Sequence, residues 1–299
     1  MPDSRIGVIG TGIMGRPMAL NLNEAGFNVT AYNRTAAKAE ALAKEGITVA
    51  KSIAEVGESC TVVITVVPDT DDVLEVVEGE GGLASSMKDG SVLIDMSTIA
   101  PGPTGELAAR LVSKGIAMLD APVSGGSWGA QQGTLSIMVG GEQATFERCL
   151  PVFDAIGKTI MLMGPSGMGQ TTKLVNQILV VGVASTVAEA LVFAAANGAD
   201  LLKTIEAVGS GAAGSWQLSN LGPRMIRRDF APGFMVKLQQ KDLRLILEAA
   251  QDKHLPLAVT SIARQYFTAA EAAGLGEEGT QAIIKVVEQL AGIEARQPE

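Results

Sequence analysis

Lys173 stands in Gly169-Gln170-Thr171-Thr172-Lys173-Leu174-Val175-Asn176-Gln177, at the head of an apolar run that continues to Ala196. An ammonium is costly in such surroundings unless it has a task. Asn176 and Gln177 follow three and four residues later, so a helix sets both amides on the lysine's face. Partial burial would lower the lysine pKa and make it an acid and base usable near neutral pH. The alternative is a lysine that snorkels from a helix end without a chemical role. A second candidate stretch is Asp120-Ala121-Pro122-Val123-Ser124-Gly125-Gly126, at the end of a strand-like run. Backbone N–H groups of Gly125 and Gly126, with the Ser124 hydroxyl, can hold a carboxylate. A plain sharp loop is the other reading.

The chemistry these groups would serve is indicated near the N-terminus. Ile6-Gly7-Val8-Ile9 runs into Gly10-Thr11-Gly12-Ile13-Met14-Gly15, then an amphipathic segment closed by Gly26, then a second apolar run, Asn28 to Tyr32. Strand, glycine turn, helix and strand at this spacing describe a dinucleotide site. Gly10 makes the tight turn, Gly12 lets the backbone approach a pyrophosphate, and Gly15 lets the helix pack on the sheet. The N-terminal N–H groups of that helix would hold the phosphates. An acidic residue after the second strand would accept from the ribose 2′-hydroxyl of NAD. Asn33, Arg34 and Thr35 stand there instead, with Lys38 close behind. A guanidinium matches a phosphate in shape and charge, so NADP(H) is expected to be preferred, with NAD(H) second. Val67 and Pro68 close one further apolar run and are expected to contact the cofactor, and Thr98 closes another and is expected on the nicotinamide side. For Thr98 the alternative is a helix N-cap.

A nicotinamide enzyme acting on a carbonyl needs an acid for the oxygen. The single histidine, His254, lies in a helix-end turn far along the chain, which disfavours a histidine acid. A Tyr with Lys four residues later is also missing, since Ala36 follows Tyr32 and Ala270 follows Tyr266. Cys60 and Cys149 are isolated in sequence, so no cysteine-based zinc site is expected and a reducing cytoplasm is. A lysine or a carboxylate remains.

The elements that must position these groups fall into two sets. Cys60 to Val67, Ser91 to Met96, Ala117 to Val123, Leu135 to Val139 and Thr159 to Met163 read as further strands, alternating with helical segments. This predicts an α/β doubly wound, mostly parallel sheet with ligands at the carboxyl ends of its strands. Beyond Gly164-Pro165-Ser166-Gly167 only helical periodicity is left, in blocks near Thr171 to Asn197, Leu201 to Gly209, Lys241 to Lys253, Ala258 to Ala273 and Glu278 to Gly292. The expected organisation is a nucleotide-binding domain over 1–165 and an all-helical domain over 166–299. A long interdomain helix from about Gln170 would join them. Ile178 to Ala196 is apolar enough for a membrane check, but it contains Ser185, Thr186 and Glu189. Burying that carboxylate in lipid costs about a few kcal/mol, so a core helix is the better reading. A hydrophobic content of 47% with 18% charged residues describes a heavily buried globular chain, and a formal charge of -9 without a basic cluster argues against nucleic acid. Met1 to Arg5 leads straight into a strand, so no signal peptide is expected.

Taken in order, the glycine fingerprint, Asp95-Met96-Ser97-Thr98, Asp120 to Gly126, Gly167 to Gln177 and Lys241-Asp242 resemble the motifs of the β-hydroxyacid dehydrogenases. The resemblance spans essentially the whole chain. It implies a Rossmann domain followed by a helical domain, Lys173 as catalytic acid/base, and Ser124, Gly125 and Gly126 as the carboxylate-holding loop. It also implies substrate contacts from Asn176 and Gln177 and cofactor contacts from Thr98 and Lys241, though by itself Lys241 could be an ordinary helix-start lysine. Lys-Leu-x-Asn-Gln with Ser-Gly-Gly is similar to tartronate semialdehyde reductases, whereas Tyr32-Asn33-Arg34-Thr35 and Gln239 to Arg244 are similar to glyoxylate and succinic semialdehyde reductases. The implied activity is NAD(P)H-dependent reduction of a small aldehyde-acid, first tartronate semialdehyde to D-glycerate. A 3-hydroxyacid dehydrogenase and an NADPH-binding sensor are the alternatives. A homo-oligomer, dimer or tetramer, in the cytoplasm without metal is expected.

Overall fold

Short apolar runs rich in Val, Ile and Leu build the sheet of the first unit. The computed structural model describes residues 5–296, so the expectation drawn from residues 1–4 lies outside the described residues. In chain order the first unit comprises β1 (Arg5–Ile9), α1 (Gly15–Glu24), β2 (Asn28–Tyr32), α2 (Ala36–Ala43), β3 (Thr48–Val49), α3 (Ile53–Ser59), β4 (Val62–Thr65), α4 (Thr70–Glu78) and α5 (Leu83–Ser86). It continues with β5 (Val92–Asp95), α6 (Pro101–Val112), β6 (Ala117–Asp120), β7 (Val123–Ser124), α7 (Gly126–Gln132), β8 (Leu135–Gly140), α8 (Gln143–Asp154) and β9 (Gly157–Gly164). The strand order is β3-β2-β1-β4-β5-β6-β8-β7, with β9 on β8. Strands β3 to β6 are parallel, β8 runs antiparallel to β6 and β7, and β9 is parallel to β8. Chain order reverses between β1 and β4, which is where such sheets open a crevice for a nucleotide.

Helices cover both faces, so the central strands are buried throughout and apolar except at their carboxyl ends, Thr65 on β4 and Asp95 on β5. Two departures from the sequence reading have simple causes. The run Ala117 to Val123 is two strands, because Pro122 has no N–H to continue the ladder and instead accepts from Met138 N (3.1 Å). The two-residue β3 is too short to leave a periodic signal.

The helix α9 (Met168–Ala196) begins at the sequence break, where Gly164 and Gly167 take φ of 138° and 90°. The chain divides into two compact units within it, one ending at Lys173 and the other starting at Leu174. The second unit is helical and adds α10 (Leu201–Gly209), a π-helical turn (Gln217–Leu221), α11 (Gly222–Ile226), α12 (Val236–Asp252), α13 (Ala258–Ala272), a 3₁₀ turn (Thr280–Ala282) and α14 (Ile283–Ala291). The segment Gln217 to Ile226 was not anticipated. By length and composition α9 could cross a membrane, but Val181, Ala188, Leu191 and Val192 pack in the second unit's core with Phe267, Ile283 and Val287. Glu189 lies exposed and accepts from Tyr266 Oη (2.9 Å). Those features are those of a core helix. Phe267 is fully buried, and truncating such a side chain to Ala costs about 3–5 kcal/mol.

Candidate active site

Three glycines shape the loop between β1 and α1. Gly10 has φ 95° and donates to Tyr32 O (3.0 Å), and a Cβ there would collide with Val66 O. A Cβ on Gly15 would collide with Gly10 O, so the turn and the helix can meet only as a glycine pair. Gly12 differs: a Cβ there would meet nothing within 4 Å. Its open side leaves the backbone free for the close approach of a ligand. The N-terminus of α1 has no side-chain cap and no acidic residue in its first turn, and the buried Thr11 Oγ1 has no partner. A dinucleotide fits these features, because it brings anionic oxygens to N–H groups that the chain leaves uncapped. Met14 is the N-cap residue of α1, and the neighbouring Ile13 is 54% exposed, an apolar side chain at the rim of the cradle.

Asn33 acts as a brace. Its Oδ1 accepts from Thr11 N and its Nδ2 donates to Thr35 O, both at 3.0 Å, so the end of β2 is tied to the glycine loop. Thr35 is the N-cap residue of α2. Arg34 is open to solvent, with its side chain 88% exposed and Nη1 3.7 Å from Asp72 Oδ1 on α4. Val67 N donates to Ser97 Oγ (3.0 Å), which joins the loops after β4 and β5, and Pro68 lies exposed beside it. Thr98 is half-buried in the second of these loops. It does not cap a helix, because α6 starts at Pro101 with Ala100 as its N-cap residue.

Two buried carboxylates stand side by side at the ends of β5 and β6, where Asp95 pairs in register with Asp120. Asp95 Oδ1 accepts from Thr65 Oγ1 (2.8 Å) and Ser97 N (3.2 Å), while Oδ2 has no partner. Desolvation pushes its carboxyl up to about 6, against the pull of the hydrogen bonds from Ser97 and Thr65, and the nearby Asp120 charge adds to the rise. Asp120 accepts from Gly167 N (2.8 Å) and Gln170 N (2.9 Å), fastening the first turn of α9 to the sheet. Burial raises its pKa, and the backbone donors of Gly167 and Gln170 oppose that rise. Gly140 and Gly169 permit this approach, since a Cβ on either would run into Asp120.

Lys173 follows one turn later and is buried, 8% exposed. A lysine at the sixth residue of a 29-residue helix, enclosed to that degree, does not snorkel from a helix end. At the end of β7, Ser124 is half-buried and pairs with Ser136 on β8. Gly125 and Gly126 take φ of 133° and 59° in succession and lead into α7, whose N-terminus carries no side-chain cap.

In the second unit a polar chain links four side chains. Asn176 Nδ2 donates to Gln177 Oε1 (2.8 Å), Gln177 Nε2 donates to Asp242 Oδ2, and Lys241 Nζ lies 2.9 Å from Asp242 Oδ1. Lys241 sits in the second turn of α12, five residues after its start, and its side chain is only 15% exposed. It is not a helix-start lysine in solvent. Asp242, Asp95 and Gln170 were not singled out from the sequence. Their one signal was membership of quoted motifs, and their bonding depends on contacts from distant strands and helices.

Residues 5–164 match the NAD binding domain of 6-phosphogluconate dehydrogenase, and residues 167–287 match the NAD-binding domain of NADP-dependent 3-hydroxyisobutyrate dehydrogenase. The chain belongs to the β-hydroxyacid dehydrogenase family. It is 41% identical to 2-hydroxy-3-oxopropionate reductase of Escherichia coli over 96% of this chain and 98% of that one. It is 39% identical to 2-(hydroxymethyl)glutarate dehydrogenase of Eubacterium barkeri over 97% and 96% of the two chains. The crystal structure of 3-hydroxyisobutyrate dehydrogenase from Salmonella typhimurium superposes with a TM-score of 0.85 at 33% identity, covering 95% of this chain and all of that one. This β-hydroxyacid dehydrogenase is therefore an NAD(P)-dependent oxidoreductase of CH–OH groups with a small hydroxyacid as substrate.

Proposed function

We propose that this enzyme reduces tartronate semialdehyde (2-hydroxy-3-oxopropionate) to glycerate with NADPH, and that Lys173 is its acid. The observation that carries this reading is the burial of Lys173 one turn into a helix whose start is fastened by Asp120. A desolvated ammonium at a fixed place can give its proton to a developing alkoxide. The Escherichia coli relative named for that substrate supports the choice of aldehyde. When bound, the reduced nicotinamide supplies the hydride for the aldehyde carbon. Gly10, Thr11, Gly12, Ile13, Met14 and Gly15 would hold its diphosphate, Arg34 and Thr35 the 2′-phosphate end, and Val67, Pro68, Thr98 and Lys241 the nicotinamide side. Ser124 and the N–H groups of Gly125 and Gly126 would hold the substrate carboxylate, which leaves the aldehyde to Lys173. Asn176 and Gln177 would orient the lysine or bind the substrate hydroxyl.

The test is the rate of NADPH and NADH oxidation with tartronate semialdehyde, glyoxylate, succinic semialdehyde and methylmalonate semialdehyde, run beside Lys173→Ala. The expected result is highest kcat/KM on tartronate semialdehyde with NADPH. Turnover should fall at least about 10²-fold in the variant while NADPH still binds, the lower range for a lost acid. A better substrate among the other three would replace the proposed one, and a variant with near-normal kcat would remove Lys173 from the role.

A further inference from the structure

We propose that Gln170 is a positioning residue that locks the nicotinamide-side loop to the helix carrying the acid, and so sets the geometry between hydride donor and proton donor. The inference rests on the proposed roles of Thr98 and Lys173. Gln170 is fully buried. Its Nε2 donates to Ser97 O (2.8 Å) and its Oε1 accepts from Ile99 N (3.1 Å). One side-chain amide thus grips the backbone on both sides of Thr98, as a neighbouring strand would. Its own backbone N–H is held by Asp120 Oδ2 (2.9 Å), and Ser97 Oγ accepts from Val67 N (3.0 Å). Gln170 is therefore tied directly to the loop after β5 and to the end of β6, and through Ser97 to the loop after β4.

Lys173 lies three residues beyond Gln170, a rise of about 4.5 Å along the same helix. Rotating or sliding the start of α9 would break the Gln170 clasp and the Asp120 anchor together. Each holds buried groups that have no solvent to turn to. A shorter side chain cannot span the two peptide groups. An acidic one of the same length can, but only when protonated, since an ionised carboxylate has no donor for Ser97 O. Burial disfavours its ionised form, so the clasp in Gln170→Glu would form at low pH and open as pH rises.

The experiment uses the full chain with Gln170→Glu and Gln170→Asn, and Lys173→Ala as the reference. It measures kcat and KM from pH 5 to 8, the isotope effect on kcat with 4-deuterated NADPH, and the NADPH dissociation constant by fluorescence. Gln170→Glu is expected to lose at least about tenfold in kcat at pH 8 and to recover relative to the wild type toward pH 5, with KM and NADPH affinity within about threefold, the pattern of an interaction that matters in the transition state rather than in binding. The isotope effect should rise as hydride transfer becomes slower. Gln170→Asn should lose as much at every pH, and it decides the matter alone if Gln170→Glu does not fold. Wild-type kcat in folded Gln170→Asn, wild-type kcat at pH 8 in folded Gln170→Glu, or a loss of NADPH affinity equal to the loss of kcat would overturn the proposal. If Lys173→Ala keeps turnover, the acid assignment fails; if it loses turnover while the Gln170 variants keep theirs, only the clasp fails.

Discussion

Asp95→Asn should change how the protein's stability depends on pH, and the size of the change follows from the burial of one carboxyl. In the unfolded chain Asp95 releases its proton near its ordinary 3.8, whereas in the folded chain it does so at about 6. Between these values unfolding releases a proton, so stability falls as pH rises and levels off above about 7. The gap corresponds to about 3 kcal/mol, of which about 1.4 kcal/mol accrues between pH 5 and pH 8. An asparagine keeps the oxygen that accepts from Thr65 and Ser97 but cannot ionise, so its curve lacks this decline. Its new N–H group replaces the unpartnered Oδ2 and costs about 1–3 kcal/mol at every pH, which displaces the curve without tilting it. The readout is therefore the slope. Relative to the wild type, Asp95→Asn should gain about 1.4 kcal/mol from pH 5 to pH 8, or roughly 3–6 °C in Tm. Urea unfolding and thermal melts at four pH values would measure it. Parallel curves for the two proteins would refute the reasoning, because they would mean that Asp95 titrates alike in both states.

The two fingerprint glycines should separate folding from binding. Gly12→Ala points its methyl into open space, so the apo-protein should melt within about 2 °C of the wild type while NADPH affinity falls about tenfold; Gly10→Ala must take φ 95° against Val66 O and should destabilise the apo-protein by at least about 1–3 kcal/mol. Differential scanning calorimetry beside fluorescence titration distinguishes them, and equal melting temperatures for the two variants would contradict the geometry. Arg34→Ala should lower kcat/KM for NADPH about tenfold at low salt and less at high salt, leaving NADH within about twofold, since the side chain is exposed and its charge is screened. A variant that loses both cofactors equally would show that Arg34 does not read the 2′-phosphate.

Local rules made part of the site legible. Positive φ at Gly10 and close approach at Gly15 are demands only glycine meets, so the turn could be placed from spacing alone. Lys173 stood out because a charge interrupts apolar helical periodicity. The network behind it was not legible. Gln170 meets Ser97 across 73 positions and Asp120 meets Gly167 across 47, and nothing in either local sequence encodes a partner so distant. Asn33 was read as a cofactor contact on its position after β2, and the brace it makes between Thr11 N and Thr35 O had no signal in the local sequence. Lys241 looked like the start of a helix because Lys237, Gln239 and Gln240 interrupt the apolar face that begins at Val236.

The composition of α9 also matters before the protein is complete. Its inward face from Val181 to Val192 packs with residues as late as Ala295. Synthesis at about 5–20 residues per second separates Val192 from Ala295 by roughly 5–20 seconds on the ribosome. Over that interval a helix apolar enough to resemble a membrane span exists before the segments that will cover it have been made. The first unit, whose elements end at Lys173, needs none of that later sequence for its own sheet. The yield of active enzyme from a cell should therefore depend on chaperone supply and growth temperature through its second half, and slower translation past Ala196 would lengthen the hazard.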